Sequence, residues 1–156
     1  MNSLARIHEL FKEIDKLASA ETAQAFMSPA NGASVALIEQ ALQSSLPREL
    51  HALLAWHDGQ EWNTALRPSD NRRLMSALEI VETIGFFLDP NEEFLEPWGR
   101  FWVPFLTNDS GDYIVIEPDS GELLHYWHDS ESRRVAYPSF LVWLEGLAAE
   151  LKAADE

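Results

Sequence analysis

The sequence predicts an α+β fold, in which one domain has a mostly antiparallel sheet of about four to six strands covered by helices. Three observations lead to this prediction. Apolar residues recur at helical spacing along most of the first ninety or so positions, whereas short segments rich in β-branched and aromatic residues follow Trp98. A third observation is the length of 156 residues, which is typical of a single domain.

The N-terminal third predicts three helices. Apolar residues at spacings of three and four mark an amphipathic first helix; they are Leu4, Ile7, Phe11, Ile14 and Leu17. Residues 20–33 predict a loop, because they end in the turn formers SPANGAS. Ser34 is the predicted N-cap of a second helix. Pro47 is predicted to lie in the first turn of a third helix, which Gly59 ends.

The middle of the chain predicts a long loop, then a short apolar segment, and then the start of a helix. Residues 60–72 are polar and without periodicity, which predicts a long loop carrying an exposed Trp62. A short apolar run, RLM, follows this loop. Ser76 and Glu79 then have the S-x-x-E spacing of a capping box, so a further helix is predicted to begin there.

Residues 101–129 read FWVPFLTNDSGDYIVIEPDSGELLHYWHD, which predicts successive hairpin strands. The apolar segments alternate with TNDSGD and DSG, whose residue types favour tight turns. Asp109 and Asp112 are therefore predicted to lie on a turn. RRVAYP predicts one more strand, and Ser139 is the predicted cap of a final helix.

The histidines and acids of this segment raise the question of a metal or catalytic site. His125 and His128 are three apart, and on a strand that spacing sends them to opposite faces. The acids lack the spacing of a calcium loop, and the chain has no G-x-S-x-G, P-loop or G-x-G-x-x-G pattern. We therefore expect no catalytic residue, metal or cofactor. A metal-dependent hydrolase using Asp112, Glu117 and His125 remains a third hypothesis.

Charge and composition narrow the class of partner. The net charge is −15, of which residues 1–56 carry −2 and residues 57–156 carry −13. Such a surface repels phosphate backbones and attracts basic proteins, so we expect a protein partner and no nucleic acid. The absence of Cys excludes disulfides and thiolate zinc sites. No apolar run is long enough to span a membrane and no cleavage site follows the N-terminus, so we expect a cytoplasmic protein without membrane contact.

Four stretches match a known family in order and spacing. They are LPRELHALLAWHDGQEW at 46–62, RLMSALEIV at 73–81, WGRFWVPFLTNDSGDYIVIEPDSGELLHYWHD at 98–129 and VAYPSFLVWLEGL at 135–147. Together they resemble the SUKH superfamily of Smi/Knr-type domains, which includes bacterial immunity proteins and a fungal cell-wall-synthesis regulator. The resemblance places a SUKH-like domain at residues 34–150. Residues 1–33 are then an N-terminal helix and loop of the same domain, and residues 151–156 an acidic tail.

The resemblance implies a protein-binding module without enzymatic chemistry. Bacterial members typically neutralise toxins, frequently nucleases, by binding them, so the leading expectation is an immunity protein for a cognate toxin. The alternative is a regulatory or scaffold module of the cell-wall assembly regulator type. The expected partner-binding residues are Asp58, Glu61, Trp62, Asp109 and Asp112. The other five tryptophans are expected in the core or at element edges; they are Trp56, Trp98, Trp102, Trp127 and Trp143.

Overall fold

The computed structural model of the protein describes residues 2–155, which form six helices and a five-stranded sheet. The helices are α1 (Ser3–Leu17), α2 (Ala20–Ala25), α3 (Gly32–Leu42), α4 (Arg48–Trp56), α5 (Ala77–Leu88) and α6 (Phe140–Asp155). The strands are β1 (Arg73–Leu74), β2 (Val103–Thr107), β3 (Tyr113–Ile116), β4 (Leu123–Tyr126) and β5 (Val135–Tyr137). In this described part of the chain, no helix has both the length and the apolar character needed to cross a membrane.

The sheet is an antiparallel meander whose strand order follows the sequence, from β1 to β5. Thr107 of β2 lies opposite Tyr113 of β3, so the turn between these strands carries the segment NDSGD. Asp109 and Gly111 in that turn have φ angles of 63° and 92°, in the left-handed region that Asp and Gly tolerate best. The predicted α+β fold with an antiparallel sheet is confirmed, and RLM contributes the added edge strand β1.

Helices α5 and α6 pack on the sheet, and they connect it to the other helices. Helix α6 also contacts α1, and α5 also contacts α3. Trp143 of α6 is 1% exposed, and its ring meets Phe105 of β2 edge-on at a centroid distance of 5.3 Å. The apolar face of α1 is buried as its spacing predicts, with Ile14 fully inaccessible to solvent. One continuous core therefore joins both ends of the chain.

Two helix starts differ from the sequence prediction. Residues 20–25, predicted as loop, form the short helix α2, which Ser19 caps by accepting the N–H of Thr22 at 3.1 Å. Helix α3 is capped by Asn31 and not by Ser34; Asn31 Oδ1 accepts the N–H of Ser34 at 2.8 Å. Asn is as good a cap as Ser, and the backbone of Asn31 is itself extended, as is typical of an N-cap.

The predicted acidic tail is also corrected. Helix α6 continues to Asp155, and Leu151 is 7% exposed within the core. Residues 151–155 are thus part of the last helix, and Leu151 extends its buried face. Glu156 lies outside the described residues.

Of the five tryptophans expected in the core or at its edges, only Trp143 is fully buried. The rest are half-buried; they are Trp56, Trp98, Trp102 and Trp127. Trp98 stacks on Phe87 at a centroid distance of 3.8 Å, and Trp56 stacks on Phe11 at 4.5 Å. These rings close the margins of the core while one edge stays in solvent, as is common for large amphipathic rings.

Candidate protein-interaction site

Trp62 projects from the loop between α4 and β1, and its side chain is 71% exposed. Backbone bonds on both sides hold its position: Glu61 donates its N–H to Ala25 O at 2.9 Å, and Asn63 donates its N–H to Asp109 Oδ2 at 3.0 Å. The prediction of an exposed Trp62 in a long loop is confirmed. The loop presents a large aromatic ring to solvent from an anchored backbone.

Beneath this loop lies the buried guanidinium of Arg73, which is 2% exposed. Its Nη1 donates to the carbonyl oxygens of Gln60 and Leu74 at 3.1 and 3.2 Å, and to Glu79 Oε1 at 3.0 Å. Its Nη2 donates to Glu79 and Asp109 at 2.6 Å each, and Nε also donates to Asp109. A buried charge is tolerated only when it is paired and hydrogen-bonded, and Arg73 meets both conditions.

Glu79 has a second role besides pairing with Arg73. It completes the predicted capping box of α5, since Ser76 Oγ accepts the Glu79 N–H at 3.2 Å and Glu79 Oε1 accepts the Ser76 N–H at 2.9 Å. Burial raises the pKa of the Glu79 carboxyl, but hydrogen bonds from Arg73 and Ser76 outweigh it and hold that pKa below its usual range. The carboxylate therefore stays ionised while helping to start the helix.

Asp109 is the other partner of Arg73, and its side chain is 11% exposed. Burial raises its pKa, but the hydrogen bonds from Arg73 and from the Asn63 N–H lower it by more, so the pKa lies below its ordinary value. The carboxylate joins the β2–β3 turn to β1 and to the Trp62 loop. The structure thus gives Asp109 a positioning role; direct contact with a partner stays a prediction.

Asp112 lies at the start of β3 and holds the chain that leaves β4. Its Oδ1 accepts the backbone N–H of His128 at 2.9 Å and the ring Nδ1–H at 2.8 Å, and its Oδ2 accepts from Asn108 Nδ2 at 2.9 Å. Burial raises the pKa of Asp112, yet the His128 bonds lower it overall. The carboxylate raises the pKa of the exposed His128 in return.

Asp112 and His128, together with the neighbouring Asp129, form a possible set of metal ligands. One ligand atom from each of the three residues lies within 4.8 Å of the other two. Both oxygens of Asp112 already accept protein hydrogen bonds, so the geometry is explained by the hairpin itself. Sequence reasoning missed the Asp112–His128 pair. The register that places Tyr113 opposite Tyr126 brings these two flanking residues together.

The residues of the hydrolase hypothesis are not brought together. Asp112 and Glu117 flank opposite ends of β3, so they are separated by about 16 Å at the rise of a strand. Glu117 instead accepts the Ser120 N–H in the next turn at 2.7 Å. The ring of His125 stacks on Trp127 and faces Arg72 Nη2 at 3.5 Å. Burial and the charge of Arg72 lower the pKa of His125.

The two remaining predicted contact residues differ in exposure. Asp58 is half-buried, and its Oδ1 accepts the Ala77 N–H at 2.8 Å, which satisfies a backbone donor in the first turn of α5. Glu61 is exposed, directly beside Trp62. Of the five predicted contact residues, Glu61 and Trp62 are therefore freely accessible. Asp58, Asp109 and Asp112 primarily hold the backbone in place.

An open cleft of about 300 Å³ adjoins these residues, and we refer to it as the Trp62 cleft. It is lined by Trp62, Arg73, Met75, Glu79, Glu82, Thr83, Thr107, Asp109, Gly111 and Tyr113. Sequence reasoning missed Glu82, Thr83 and Tyr113. The signal for the first two is their helical spacing from Glu79, at three and four residues, which puts all three on one face of α5.

The chain matches the SMI1 / KNR4 family (SUKH-1) over residues 29–146, more than half of its length. It belongs to the SMI1 / KNR4 family. The matched region contains α3, α4, α5, all five strands and the first part of α6, so both walls of the Trp62 cleft lie inside it. A comparison with curated proteins finds no match. Membership in the SMI1 / KNR4 family suggests protein–protein interaction.

Proposed function

We propose that the chain is a non-enzymatic protein-binding module, and that it is an immunity protein which binds and neutralises a cognate bacterial toxin. The observation that carries this proposal is Trp62, a 71% exposed aromatic ring on an anchored loop at the edge of a cleft. Tryptophan is among the residues that most often dominate binding energy at protein interfaces. A partner that covers this large rigid ring removes much apolar surface from water.

The charge distribution supports a basic partner. Residues 57–156 carry −13 of the net charge of −15, and the Trp62 cleft lies among them. A nuclease must attract phosphate groups, so its nucleic-acid-binding surface is basic. An acidic protein that covers such a surface blocks the substrate without any chemistry of its own, and long-range attraction speeds its association. This role places the chain in the cytoplasm of the cell it protects.

Co-expression tests this proposal directly. The protein encoded beside this chain is expressed as the toxin, and growth is compared with and without the chain. We expect the chain to restore growth and to co-purify with the toxin. Trp62→Ala is expected to lose protection while remaining folded, whereas Glu93→Gln, a change at an exposed glutamate outside the cleft, is expected to keep it. A chain that neither restores growth nor binds any neighbouring toxin contradicts the proposal.

A second function, a regulatory or scaffold module of the cell-wall assembly regulator type, agrees equally with family membership. It also uses an exposed protein-binding surface. Affinity purification from the native cell separates the two functions. Recovery of a resident cell-wall assembly protein, together with no toxin gene beside this one, favours the scaffold.

A further inference from the structure

We propose that the Trp62 cleft is a subsite for one arginine side chain of the partner protein. The inference rests on the proposed protein-binding function and deepens it by naming what the partner inserts. Three features of the described residues lead to it: an unbalanced set of carboxylates, an accessible indole face, and a size suited to a single side chain.

The carboxylates of the cleft outnumber its cation. Glu79, Glu82 and Asp109 line the cleft, and Arg73 is the one cationic side chain among the described residues that line it. Arg73 is buried, and its hydrogen bonds already go to Glu79, Asp109 and two carbonyl groups. Within residues 2–155, Glu82 has no ion-pair partner and is exposed. The cleft therefore keeps a negative charge that its own arginine does not neutralise.

The carboxylate oxygens of Glu79 and Glu82 can accept further hydrogen bonds. Glu79 Oε2 accepts one hydrogen bond, from Arg73 at 2.6 Å, and its side chain is 38% exposed. A carboxylate oxygen accepts about two hydrogen bonds, so Oε2 has capacity left on its solvent side. Glu82 lies three residues further along the same face of α5. Two neighbouring carboxylates thus offer acceptors to an incoming donor with several N–H groups.

The indole of Trp62 distinguishes arginine from other cations. A guanidinium is planar, stacks on an aromatic face and still donates in its own plane, whereas an ammonium is more strongly hydrated and binds as a point charge. Trp62 presents its ring at the rim of the same cleft that contains the carboxylates. At about 300 Å³ the cleft is at the small end of ligand sites, which fits one side chain.

The test uses the full chain labelled with ¹⁵N and two small probes. N-acetyl-arginine amide supplies the guanidinium, and N-acetyl-citrulline amide has nearly the same shape without the charge. We expect arginine to shift the Trp62 indole N–H and the Gly111 amide with a saturating curve, and citrulline to leave both unchanged. Trp62→Ala should weaken the arginine response about tenfold at the Gly111 amide. Glu82→Gln should weaken it about two- to fivefold, and the control Glu93→Gln should not.

Three outcomes overturn the subsite. If citrulline shifts the same resonances as strongly as arginine does, the cleft does not recognise the positive charge. Equal weakening by Glu82→Gln and Glu93→Gln shows diffuse attraction to the whole acidic surface. The lysine analogue of the arginine probe is titrated as a third compound, and binding as tight as that of arginine removes the preference for a planar cation. Growth assays separate this inference from the proposed function. Protection that is lost in Trp62→Ala, in a chain that shows no arginine binding at the cleft, refutes the subsite alone. Arginine binding by a chain that gives no protection refutes the toxin role alone.

Discussion

Arg73 donates two short hydrogen bonds to Asp109, from Nε to Oδ2 at 2.9 Å and from Nη2 to Oδ1 at 2.6 Å. This pair joins the edge strand β1 to the turn between β2 and β3, and Glu79 extends it to the start of α5. The Trp62 loop rests on the same network through the Asn63 N–H. The Arg73–Asp109 ion pair therefore helps to fix the position of the candidate interaction surface.

Removing Arg73 should destabilise the whole domain. Arg73→Ala removes the cation that pairs with Glu79 and Asp109, together with its hydrogen bonds to two carbonyl groups, and breaking a buried pair in this way costs about 3–5 kcal/mol. Urea unfolding followed by tryptophan fluorescence measures the loss. Arg134→Ala, at an exposed arginine outside the network, is the control and should change the free energy of unfolding by less than about 0.5 kcal/mol. A loss in Arg73→Ala no larger than in that control contradicts the proposed role.

Acid should weaken this network in a predictable direction. The folded-state pKa values of Glu79 and Asp109 lie below their ordinary values of 4.5 and 3.8. A carboxyl with a lowered pKa contributes its full stability above the unfolded value and loses it as the pH falls through the folded value. The free energy of unfolding of the native chain should therefore drop as the pH falls below about 4.5.

Asp109→Asn isolates the contribution of one of these carboxyls. Asn tolerates the left-handed φ of 63° at this position, so the substitution removes the charge without straining the turn. The variant should be less stable at pH 7 and should show a shallower loss of stability in acid. Asp119→Asn, in the exposed turn after β3, provides the comparison. An acid dependence identical in Asp109→Asn and the native chain would argue against the assignment.

Much of this fold follows from local sequence patterns. The capping box at Ser76 needs only residues three apart, and the turn at Asp109 needs only local turn chemistry, so both were predictable. The Arg73–Asp109 pair spans 36 residues, and its strand β1 has two, which gives no periodic signal. Burial of a charge depends on tertiary packing, and the spacing of residues along the chain does not predict that packing. The sequence therefore predicts where Trp62 lies but not what supports it.

Gly59 should be intolerant of any side chain. Its φ is 80°, and a Cβ atom there would lie 2.6 Å from Ser76 N and 2.8 Å from Met75 C, where only backbone atoms could give way. Gly59→Ala should lower the free energy of unfolding by about 2 kcal/mol or more. Gly85, on the exposed side of α5, is the matched control, because a methyl group added there would have no neighbour within 4 Å. Gly85→Ala should stabilise by about 0.5–1 kcal/mol, and the opposite ranking in thermal melts would contradict the packing described for Gly59.

The Asp112–His128 pair should be visible in a histidine titration. Hydrogen bonding to Asp112 raises the pKa of His128 above its ordinary value of 6.5. The stabilisation from this pair is present below pH 6.5 and is lost as the pH rises through the folded value. NMR titration of the His128 ring should therefore give a midpoint above 6.5 that returns toward 6.5 in Asp112→Asn. An unchanged midpoint in that variant would show that the carboxylate is not the cause.

Substitutions at two tryptophans should separate an effect on folding from an effect on partner binding. Trp143 is 1% exposed, so Trp143→Ala should cost about 3–5 kcal/mol as a large truncation in the core. Trp62 is 71% exposed, so Trp62→Ala should change the free energy of unfolding by less than about 0.5 kcal/mol. Differential scanning fluorimetry gives the ranking. Comparable losses in both variants would mean that the Trp62 loop is part of the core.

We propose that this member of the SMI1 / KNR4 family binds a basic toxin through the surface around Trp62. Isothermal titration calorimetry of the purified chain with the toxin domain encoded beside it tests that claim most directly. We predict saturable one-to-one binding that weakens as salt is added and that falls at least about tenfold in affinity in Trp62→Ala. The absence of binding heat with the native chain, or an unchanged affinity in a folded Trp62→Ala variant, would contradict it.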